Sequence, residues 1–496
     1  MEIKSDDNIL LENLIKHIPK ILEEKAKEIA KSHITAEKRI IGLEFEFPFD
    51  ISIIKELEDL VPLTSNNSLY SKIKNLKKLW FRLVDKSIKC LRYFDTREPY
   101  LNIEDKVPQS YGIEGLVKYY AEFADFEALL YGSNQFYRDH VIHLFRTWLI
   151  GLNILINKNE NKRFYEQIQI EGVQTKEFDL NFFECISIWT LASLCHDLGY
   201  PLEKFQTVIL KTQKMMEYLV SQPKIQQDIA FSGTQDKIND FIVRMISSKM
   251  KEIKISAKLY NARVQSKYYI KYSKSLENYS HGIVSAIIIY KALLYFLESD
   301  FSFDDDYIFE YEDAKQFYMR RDILRSISSH TCRDIYHMLS NTFPLLLIIS
   351  DDLQEWGRKN WIDLYTNEPM PNTHFNLLKY DSENIAIEYV FEKIKQPKIA
   401  FFINSFYEQF QKFRMLFRDG EDTAKRNFSF YIRYNIQLSR SKKEINITSL
   451  IPAKNAAVFK IEAKGFQNKT KFNKIIGKIS ERDEISERND FSIKLS

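Results

Sequence analysis

The sequence predicts a mainly α-helical protein with smaller flanking regions of mixed α and β structure. Only 13 glycines and 12 prolines occur among the 496 residues, which argues for long helices over a turn-rich all-β fold. Apolar residues also recur with helical spacing through most of the stretch from residue 113 to residue 365. This length is ample for a large buried core, in roughly two to four domains or in one large helical domain with appendages.

The first predicted region covers residues 1–112. It opens with an amphipathic helix pattern over residues 1–32, which carries charges throughout and has no signal-peptide core. The run "KRIIGLEFEFPFDISII" (38–54) is typical of one or two short strands. Residues 98–112, "EPYLNIEDKVPQSYG", contain a proline and indicate a linker.

Helical periodicity dominates the second region, residues 113–365. An acidic loop, "SDFSFDDDYIFEYED", interrupts it, and "TNEPMPNTH" (366–374) is a plausible boundary because two prolines lie two residues apart. The predicted helical segments are 136–156, 181–198, 204–220, 281–298, 314–328 and 333–358.

The third region, residues 373–496, is predicted to be an α+β domain. "IAIEYVFEKIKQ" (385–396) and "FINSFYEQFQKFRMLF" (402–417) are interpreted as helices, whereas "NFSFYIRYNIQLS" (427–439) alternates like a half-buried strand. Residues 459–479 carry six lysines with almost no acid, interleaved with phenylalanines. This basic segment is most simply a solvated surface, and binding to a nucleic acid or another anionic partner is the alternative.

Charge and cysteine usage limit the class of protein. With 71 basic and 68 acidic residues the net charge is +3, which says little about nucleic acid or membrane partners. The four cysteines form no CxxC pair, so a zinc ribbon is excluded and a disulfide framework is not expected. The longest apolar runs fall short of the roughly 20 residues that a spanning helix needs. We therefore expect a cytoplasmic protein without a membrane partner.

The stretch "SLCHDLGYPLEKF" (193–205) places His196 and Asp197 side by side at the end of an apolar helix. A buried imidazole and carboxylate must find partners or remain costly, and a metal ion satisfies both. Other potential ligands also lie at or near the ends of apolar helical segments; they are His143, His281, His330 and Asp351. Helices that pack by their apolar faces can deliver such groups to one inner site. A mixed histidine and aspartate set suits a divalent Mn, Fe, Co, Ni or Zn ion.

The ordered pattern of His143, the His196-Asp197 doublet and Asp351 resembles the HD superfamily of metal-dependent phosphohydrolases. The resemblance covers roughly residues 130–360, so residues 113–365 are expected to form a central HD-type helical bundle. His281 and His330 are similar to the extra ligands of the two-metal branches, which include cyclic-nucleotide phosphodiesterases and HD nucleases.

The resemblance implies a role for each matched residue. His143, His196, Asp197 and Asp351 would hold a first metal, and Asp197 would bridge to a second metal held also by His281 and His330. Asp197 would therefore be central to catalysis, with His140 as an outer general acid or phosphate donor. The nearest basic residues in sequence are expected to bind substrate phosphate; they are Arg146, Lys204 and Arg333.

Some positions leave alternatives open. Asp352 rivals Asp351 as a ligand, and Arg146 could instead pair with Asp139 or Glu203. Tyr200 stands where related deoxynucleoside triphosphate hydrolases carry a histidine. Many two-metal members have adjacent histidines where this chain has His330-Thr331; a water, His337 or Cys332 could complete that coordination.

The expected function is hydrolysis of a nucleotide or nucleotide-derived phosphoester, either a phosphodiester or a phosphoanhydride, by metal-activated water. Two alternatives stay open. The first is a nuclease acting on single-stranded nucleic acid through the basic segment. The second is a catalytically idle HD domain that senses nucleotides or supports assembly. The sequence leaves oligomerisation open.

Overall fold

The computed structural model describes most of the chain. The described residues are 3–31, 45, 47, 49–63, 69–95, 111–133, 139–159, 162–170, 178–218, 233–254, 259–294, 308–332, 334–335, 339–354, 372–394, 399–417, 429–438, 444–452, 458–464 and 491–495. The fold is mainly α-helical with one mixed β-sheet, as the sequence predicts at this level.

Helices form the first three quarters of the described chain. In chain order they are α1 Asp7–Ile29, α2 Ile51–Glu58, α3 Ile73–Tyr93, α4 Tyr111–Ser133, α5 Val141–Ile156, α6 Phe182–Cys195, α7 Tyr200–Met216, α8 Thr234–Ser247, α9 Ser266–Glu277, α10 His281–Leu294, α11 Tyr311–Ser329 and α12 Phe343–Leu353. Short antiparallel strand pairs lie between them: β2 Lys158–Asn159 with β3 Lys162–Arg163, and β4 Ser248–Lys254 with β5 Leu259–Val264.

Helices α5 and α6 lie at the centre of the helical core. Every residue of both helices is buried, which is the pattern of helices enclosed on all sides. Helix α6 packs against α3, α5 and α11, and α12 packs against α5 and α11. The indole of Trp80 on α3 donates to the carbonyl of Leu194 at 2.7 Å, which ties the N-terminal helices to the end of α6. The polar residues at the ends of these central helices are therefore held in a rigid surrounding.

The C-terminal part of the chain forms the mixed sheet. Its strands from this part are β6 Asn372–Tyr380, β7 Asn384–Ile394, β8 Ser429–Leu438, β9 Glu444–Pro452, β10 Val458–Lys464 and β11 Phe491–Leu495. Strand β1, Ile3–Lys4, completes the sheet, and the strand order is β1-β6-β7-β8-β9-β10-β11. The pairs β7–β8 and β10–β11 are parallel. Helix α13 (Ile399–Phe417) connects β7 to β8, because parallel neighbours need a long crossover.

The start of the chain joins both parts of the fold. Strand β1 (Ile3–Lys4) pairs antiparallel with β6, and Ser5 exchanges hydrogen bonds with Phe375. Helix α1 then packs against α5, where the side-chain amide of Asn153 donates to the carbonyl of Leu10 at 3.2 Å. The first residues thus share the core of the central helices.

Several predicted elements differ from the structure. Residues 385–396 were expected to be helical, but 384–394 form β7, in which burial alternates from residue to residue. The prediction was wrong because a short apolar run satisfies both periods. Of the predicted helix 333–358, residues Phe343–Leu353 form α12, with Pro344 in its first turn, and residues 333, 336–338 and 355–358 lie outside the described residues. Of the predicted strands at 38–54, the last residues begin helix α2, and most of the others lie outside the described residues.

The predicted domain limits at 112, 365 and 373 remain predictions. The proposed linker at 98–112 lies outside the described residues up to 110, and its last two residues begin α4. The boundary segment 366–374 lies outside them up to 371, and its last three residues begin β6. Among the described residues, no helix has the length and apolar character needed to cross a bilayer.

Candidate metal centre

Six side chains that the sequence selects lie together where the ends of five helices meet. His143 lies in the first turn of α5, and His196 is the C-cap of α6, with Asp197 directly after it. His281 is the first residue of α10, and His330 is the C-cap of α11. The sixth side chain, Asp351, lies near the end of α12. The helical core therefore gathers residues that are more than two hundred positions apart in the chain.

The first group consists of His143, His196 and Asp197. The Nε2 atoms of His143 and His196 are 3.0 Å apart, and Nε2 of His143 is 3.0 Å from Oδ2 of Asp197. The carboxylate of Asp351 adjoins this group, with Oδ1 at 3.3 Å from Nε2 of His143 and 3.8 Å from Nε2 of His196. His143, His196 and Asp197 are buried, and their ligand atoms lie within 4.8 Å of one another, so they could hold a metal ion.

The second group consists of Asp197, His281 and His330. Oδ1 of Asp197 is 3.2 Å from Nε2 of His281 and 3.3 Å from Nε2 of His330. These three residues also meet the criterion of ligand atoms within 4.8 Å and could hold a metal ion. Asp197 belongs to both groups. Its Oδ2 contacts His143 of the first group, whereas Oδ1 contacts both histidines of the second group and also lies 3.6 Å from Nε2 of His196. This is the arrangement of a carboxylate that can bridge two cations.

Hydrogen bonds donated by Nδ1 orient three of the four imidazoles of the site. Nδ1 of His196 donates to the carbonyl of Ser193 at 2.7 Å, and Nδ1 of His330 donates to the carbonyl of Ile327 at 2.5 Å. Nδ1 of His281 contacts the carboxylate of Glu203. Each bond assigns a proton to Nδ1 and leaves the lone pair of Nε2 directed at the site, which is the usual outer-shell support of metal-binding histidines.

The charges of the site depend on one another. Burial disfavours a charged imidazole at His196, but the nearby carboxylates, first among them Asp197, outweigh it and raise its pKa. The same balance raises the pKa of His281 to about 9. Burial alone would raise the pKa of Asp197, yet the imidazoles around it hold that pKa well below its usual range. At His330, burial and the neighbouring imidazoles lower the pKa. The carboxylate of Asp197 is therefore surrounded by imidazoles, each of which can bind a proton or a metal.

Two glycines allow the helix ends to meet. A Cβ atom at Gly199 would overlap the carbonyl oxygen of His281 and lie 2.8 Å from Cβ of Val284. A Cβ atom at Gly282 would lie 2.6 Å from Oγ1 of Thr331 and 3.0 Å from Cε1 of His330. Close contact between the loop after Asp197 and helix α10 therefore requires glycine, which explains Gly199 in the motif "HDLGYP".

The adjacent aspartates at the end of α12 point to different surroundings. Asp351 lies beside His143 and His196, whereas Asp352 accepts hydrogen bonds from Lys412 at 2.6 Å and from Tyr389 at 3.3 Å. Asp352 also accepts a hydrogen bond from the side-chain amide of Gln409. Of the two rival ligands, Asp351 is thus at the metal centre, and Asp352 connects α12 to the C-terminal sheet and helix α13.

His140 lies beside the first group. Its Nε2 is 3.7 Å from Oδ2 of Asp197, and its Nδ1 is 3.7 Å from Oε1 of Glu127 on α4. The ring of Tyr200 lies 4.0 Å from the His140 ring, centroid to centroid, and 5.4 Å from the ring of His281. His140 is therefore an outer neighbour of the site.

The three predicted phosphate-binding residues have different positions. Arg146 is buried, and its guanidinium pairs with Asp7 at 3.0 Å and 2.6 Å, rather than with Asp139 or Glu203, the partners considered from sequence. Lys204 lies at the edge of the site, with a side chain that is 34% exposed and 2.5 Å from Glu203. Arg333 lies outside the described residues. Lys204 is thus the one of these three that is both described and accessible from the solvent side.

Of the two side chains considered as an extra ligand for the second metal, only Cys332 lies within the described residues. Cys332 is buried, with Sγ 3.9 Å from the carbonyl of Lys271, and it belongs to neither ligand group of the described chain. Burial raises the pKa of its thiol to about 11. His337 lies outside the described residues, as does most of the basic segment 459–479, of whose lysine side chains nothing is described.

Sequence reasoning missed one functional neighbour, Glu203. Its Oε2 accepts a hydrogen bond from the backbone N–H of His281 at 2.9 Å and lies 2.5 Å from Nδ1 of the same residue. Burial would raise the pKa of Glu203, but these bonds and Lys204 lower it to about 2. The two residues are 78 positions apart, so a periodic pattern in the sequence could not connect them.

The chain was compared with protein-family models, with curated proteins and with solved structures, and it matches none of them.

Proposed function

We propose that this protein is an HD-type metal-dependent phosphohydrolase that hydrolyses a nucleotide or nucleotide-derived phosphoester with two divalent cations. The observation that supports the proposal is the position of Asp197 between two ligand groups, with Oδ2 at 3.0 Å from Nε2 of His143 and Oδ1 at 3.2 Å from Nε2 of His281. The order of the ligands along the chain, which resembles that of the HD superfamily, adds to this support.

The donor set fits divalent first-row metals. Imidazole nitrogens predominate and carboxylate oxygens complete the set, a mixture suited to Mn, Fe, Co, Ni or Zn. Three Nε2 lone pairs are directed at the centre by hydrogen bonds on Nδ1. His143, His196, Asp197 and Asp351 would hold the first cation, and Asp197, His281 and His330 the second. Two such cations, when bound, lower the pKa of water and neutralise charge on a phosphoryl group.

The surrounding residues have the remaining tasks of a phosphohydrolase. His140 is placed to hold a proton at Nε2, beside Asp197, and to donate it to the departing oxygen of the substrate. Lys204 carries a cation at the accessible edge of the site, where a substrate phosphate would arrive. The apolar helices that bury the first ligand group exclude bulk water from its inner side. Because Arg146 pairs with Asp7, we assign it a structural role instead of phosphate binding.

Product analysis after incubation with a substrate panel tests the proposal. The panel contains nucleoside triphosphates, deoxynucleotides, cyclic mono- and dinucleotides and short single strands, each with Mn²⁺, and chromatography separates the products. Turnover is expected for one nucleotide class and should be lost in Asp197→Asn, which keeps the volume of the side chain and removes its charge.

Asp352→Asn is the matched control, because it makes the same chemical change beside a ligand but outside the site. It should retain most of the activity. Cleavage confined to the single strands would replace the proposed substrate class by nucleic acid. Nucleotide binding without turnover, with Mn²⁺ and with each of Fe²⁺, Co²⁺, Ni²⁺ and Zn²⁺ in its place, would contradict an enzymatic function and favour a nucleotide sensor.

A further inference from the structure

Glu203 contacts two different functional groups with its two carboxylate oxygens. Oε2 accepts hydrogen bonds from the backbone N–H and the ring Nδ1–H of His281, at 2.9 Å and 2.5 Å. Oε1 accepts a hydrogen bond from the ammonium of Lys204 at 2.5 Å. The side chain of Glu203 is 25% exposed and lies in the first turn of α7. A single carboxylate thus lies between a metal-ligating imidazole and a cation at the edge of the site.

The double contact to His281 fixes both the position and the tautomer of the ring. Because Nδ1 donates to Glu203, the lone pair of the neutral imidazole is at Nε2, which lies 3.2 Å from Oδ1 of Asp197. The bond to the backbone N–H also holds the start of α10 against α7. His281 is the more exposed of the two histidines in the second group, with 19% against 3% for His330, so it depends more on such support.

The contact to Lys204 holds a flexible cation beside the site. A lysine side chain has many rotamers, and fixing it to a carboxylate reduces the entropy lost when it binds an anion. The ammonium also lies 5.0 Å from the centroid of the Tyr200 ring, whose other neighbours include His140 and His281. Lys204 therefore has a defined position relative to the second ligand group.

We propose that Glu203 is a positioning residue that serves both halves of the reaction centre: it orients His281 toward the second metal and holds Lys204 where the substrate phosphate binds. The proposal rests on the proposed function, since it assumes a divalent cation at the second group and a phosphate-bearing substrate. It goes further by assigning one residue that couples the second metal site to phosphate recognition.

Measurements of metal binding test the orientation of His281 by Glu203 without any substrate. Calorimetric titration of the metal-free protein with Mn²⁺ should show two sites in the wild type. In Glu203→Ala the second site should weaken by about 10- to 100-fold, the usual cost of removing an outer-shell partner of a ligand, while the first site is unchanged. Glu217→Ala, at an exposed position just after the same helix, is the matched control and should resemble the wild type.

The Glu203→Gln substitution separates the orientation of His281 from the positioning of Lys204. The amide oxygen can still accept both hydrogen bonds from His281, but the amide group cannot pair with the ammonium of Lys204. This variant should therefore bind the second Mn²⁺ more tightly than Glu203→Ala does. It should bind inorganic phosphate, added to the Mn²⁺-loaded protein, as weakly as Lys204→Met does. The Lys204→Met variant should retain both metal sites at wild-type affinity.

The outcomes distinguish this inference from the proposed function. The positioning role would be overturned if Glu203→Ala bound Mn²⁺ at both sites with wild-type affinity. It would also be overturned if both sites lost the same amount of affinity. If Glu203→Ala does not fold, the Glu203→Gln comparison decides, because unaltered phosphate binding there would also overturn the coupling. Two metals and bound phosphate in the wild type, with no turnover of any nucleotide, would refute the proposed activity while leaving the role of Glu203 intact.

Discussion

The candidate metal centre and the ion pairs along helix α11 are both buried clusters of carboxylates, but they differ in their positive partners. At the metal centre, Asp197 and Asp351 are surrounded by imidazoles. Along α11, Glu184 pairs with Lys315 at 2.8 Å, and Asp322 pairs with Arg321. The helix itself connects the two regions, because its C-cap is the ligand His330.

The difference shows which cluster can accept an external cation. Lysine and arginine keep their protons, so a carboxylate that pairs with them is neutralised from within the fold. An imidazole can release its proton and offer a lone pair instead, so a carboxylate with imidazole partners can exchange protons for a metal ion. We therefore interpret the α11 pairs as structural and the imidazole cluster as a binding site. Substitutions in the two clusters test this interpretation.

Asp197→Asn should have the largest effect, because Asp197 belongs to both ligand groups. We expect metal content to fall from two ions per chain to none and turnover to fall by several orders of magnitude. The helical content should be unchanged, since the neighbouring side chains keep their packing. Elemental analysis and circular dichroism of the purified protein measure these quantities. Two retained metal ions would show that the imidazole cluster is not the binding site.

Lys315→Met should have the opposite profile. Removing the ammonium leaves the fully buried Glu184 without its charged partner, which typically costs about 3–5 kcal/mol of stability. Urea denaturation should detect this loss, while metal content stays at the wild-type value. The double variant with Glu184→Gln should recover part of the stability, because no unpaired charge then remains. Loss of metal in Lys315→Met would contradict the separation of the two regions.

Asp351→Asn and Asp352→Asn test the same distinction between neighbouring residues. Asp352 bonds Lys412, Tyr389 and Gln409 in the C-terminal part of the fold, so its substitution should cost about 1.5–3 kcal/mol of stability and no metal. Asp351→Asn should instead weaken the first metal site and leave stability nearly unchanged. Thermal unfolding and metal titration of both variants distinguish the two cases. An equal loss of metal in the two variants would show that the aspartates are not functionally distinct.

The sequence could predict which side chains lie together at the candidate metal centre because its signals are local. His143, His196 and Asp351 each lie in or directly after an apolar helical segment, and such segments must pack together. Local signals could not identify the partners of Arg146 and His281, because Asp7 and Glu203 lie 139 and 78 residues away from them. Only the packed fold brings such pairs into contact.

The same limit explains the errors in secondary structure. Residues 385–396 contain apolar side chains that fit both a helix and a strand, and the structure forms β7 because β6 and β8 supply hydrogen-bonding neighbours on both sides. The choice between Asp351 and Asp352 depended likewise on tertiary contacts. Their side chains point in different directions because one faces α5 and the other faces α13.

The pH dependence of metal binding should give the smallest effect. In the metal-free protein the pKa of His281 is raised to about 9, so at neutral pH its imidazole carries an additional proton that a metal must displace. Affinity at the second site should therefore rise with pH up to about 9, by at most about tenfold per unit, or about 1.4 kcal/mol.

The raised pKa of His281 also determines how the free energy of unfolding changes with pH. A raised pKa in the folded state means that the contribution of His281 is fully present below its ordinary value of 6.5 and is lost as pH rises through about 9. Bound metal should remove the loss between pH 6.5 and about 9, because Nε2 then holds the metal in place of the titrating proton. Calorimetry in two buffers of different ionisation enthalpy should detect proton release on binding of the second Mn²⁺ at pH 7. Binding without proton release would place the second cation away from His281. The ion pairs along α11, with lysine and arginine as partners, should exchange no proton for a metal ion near neutral pH.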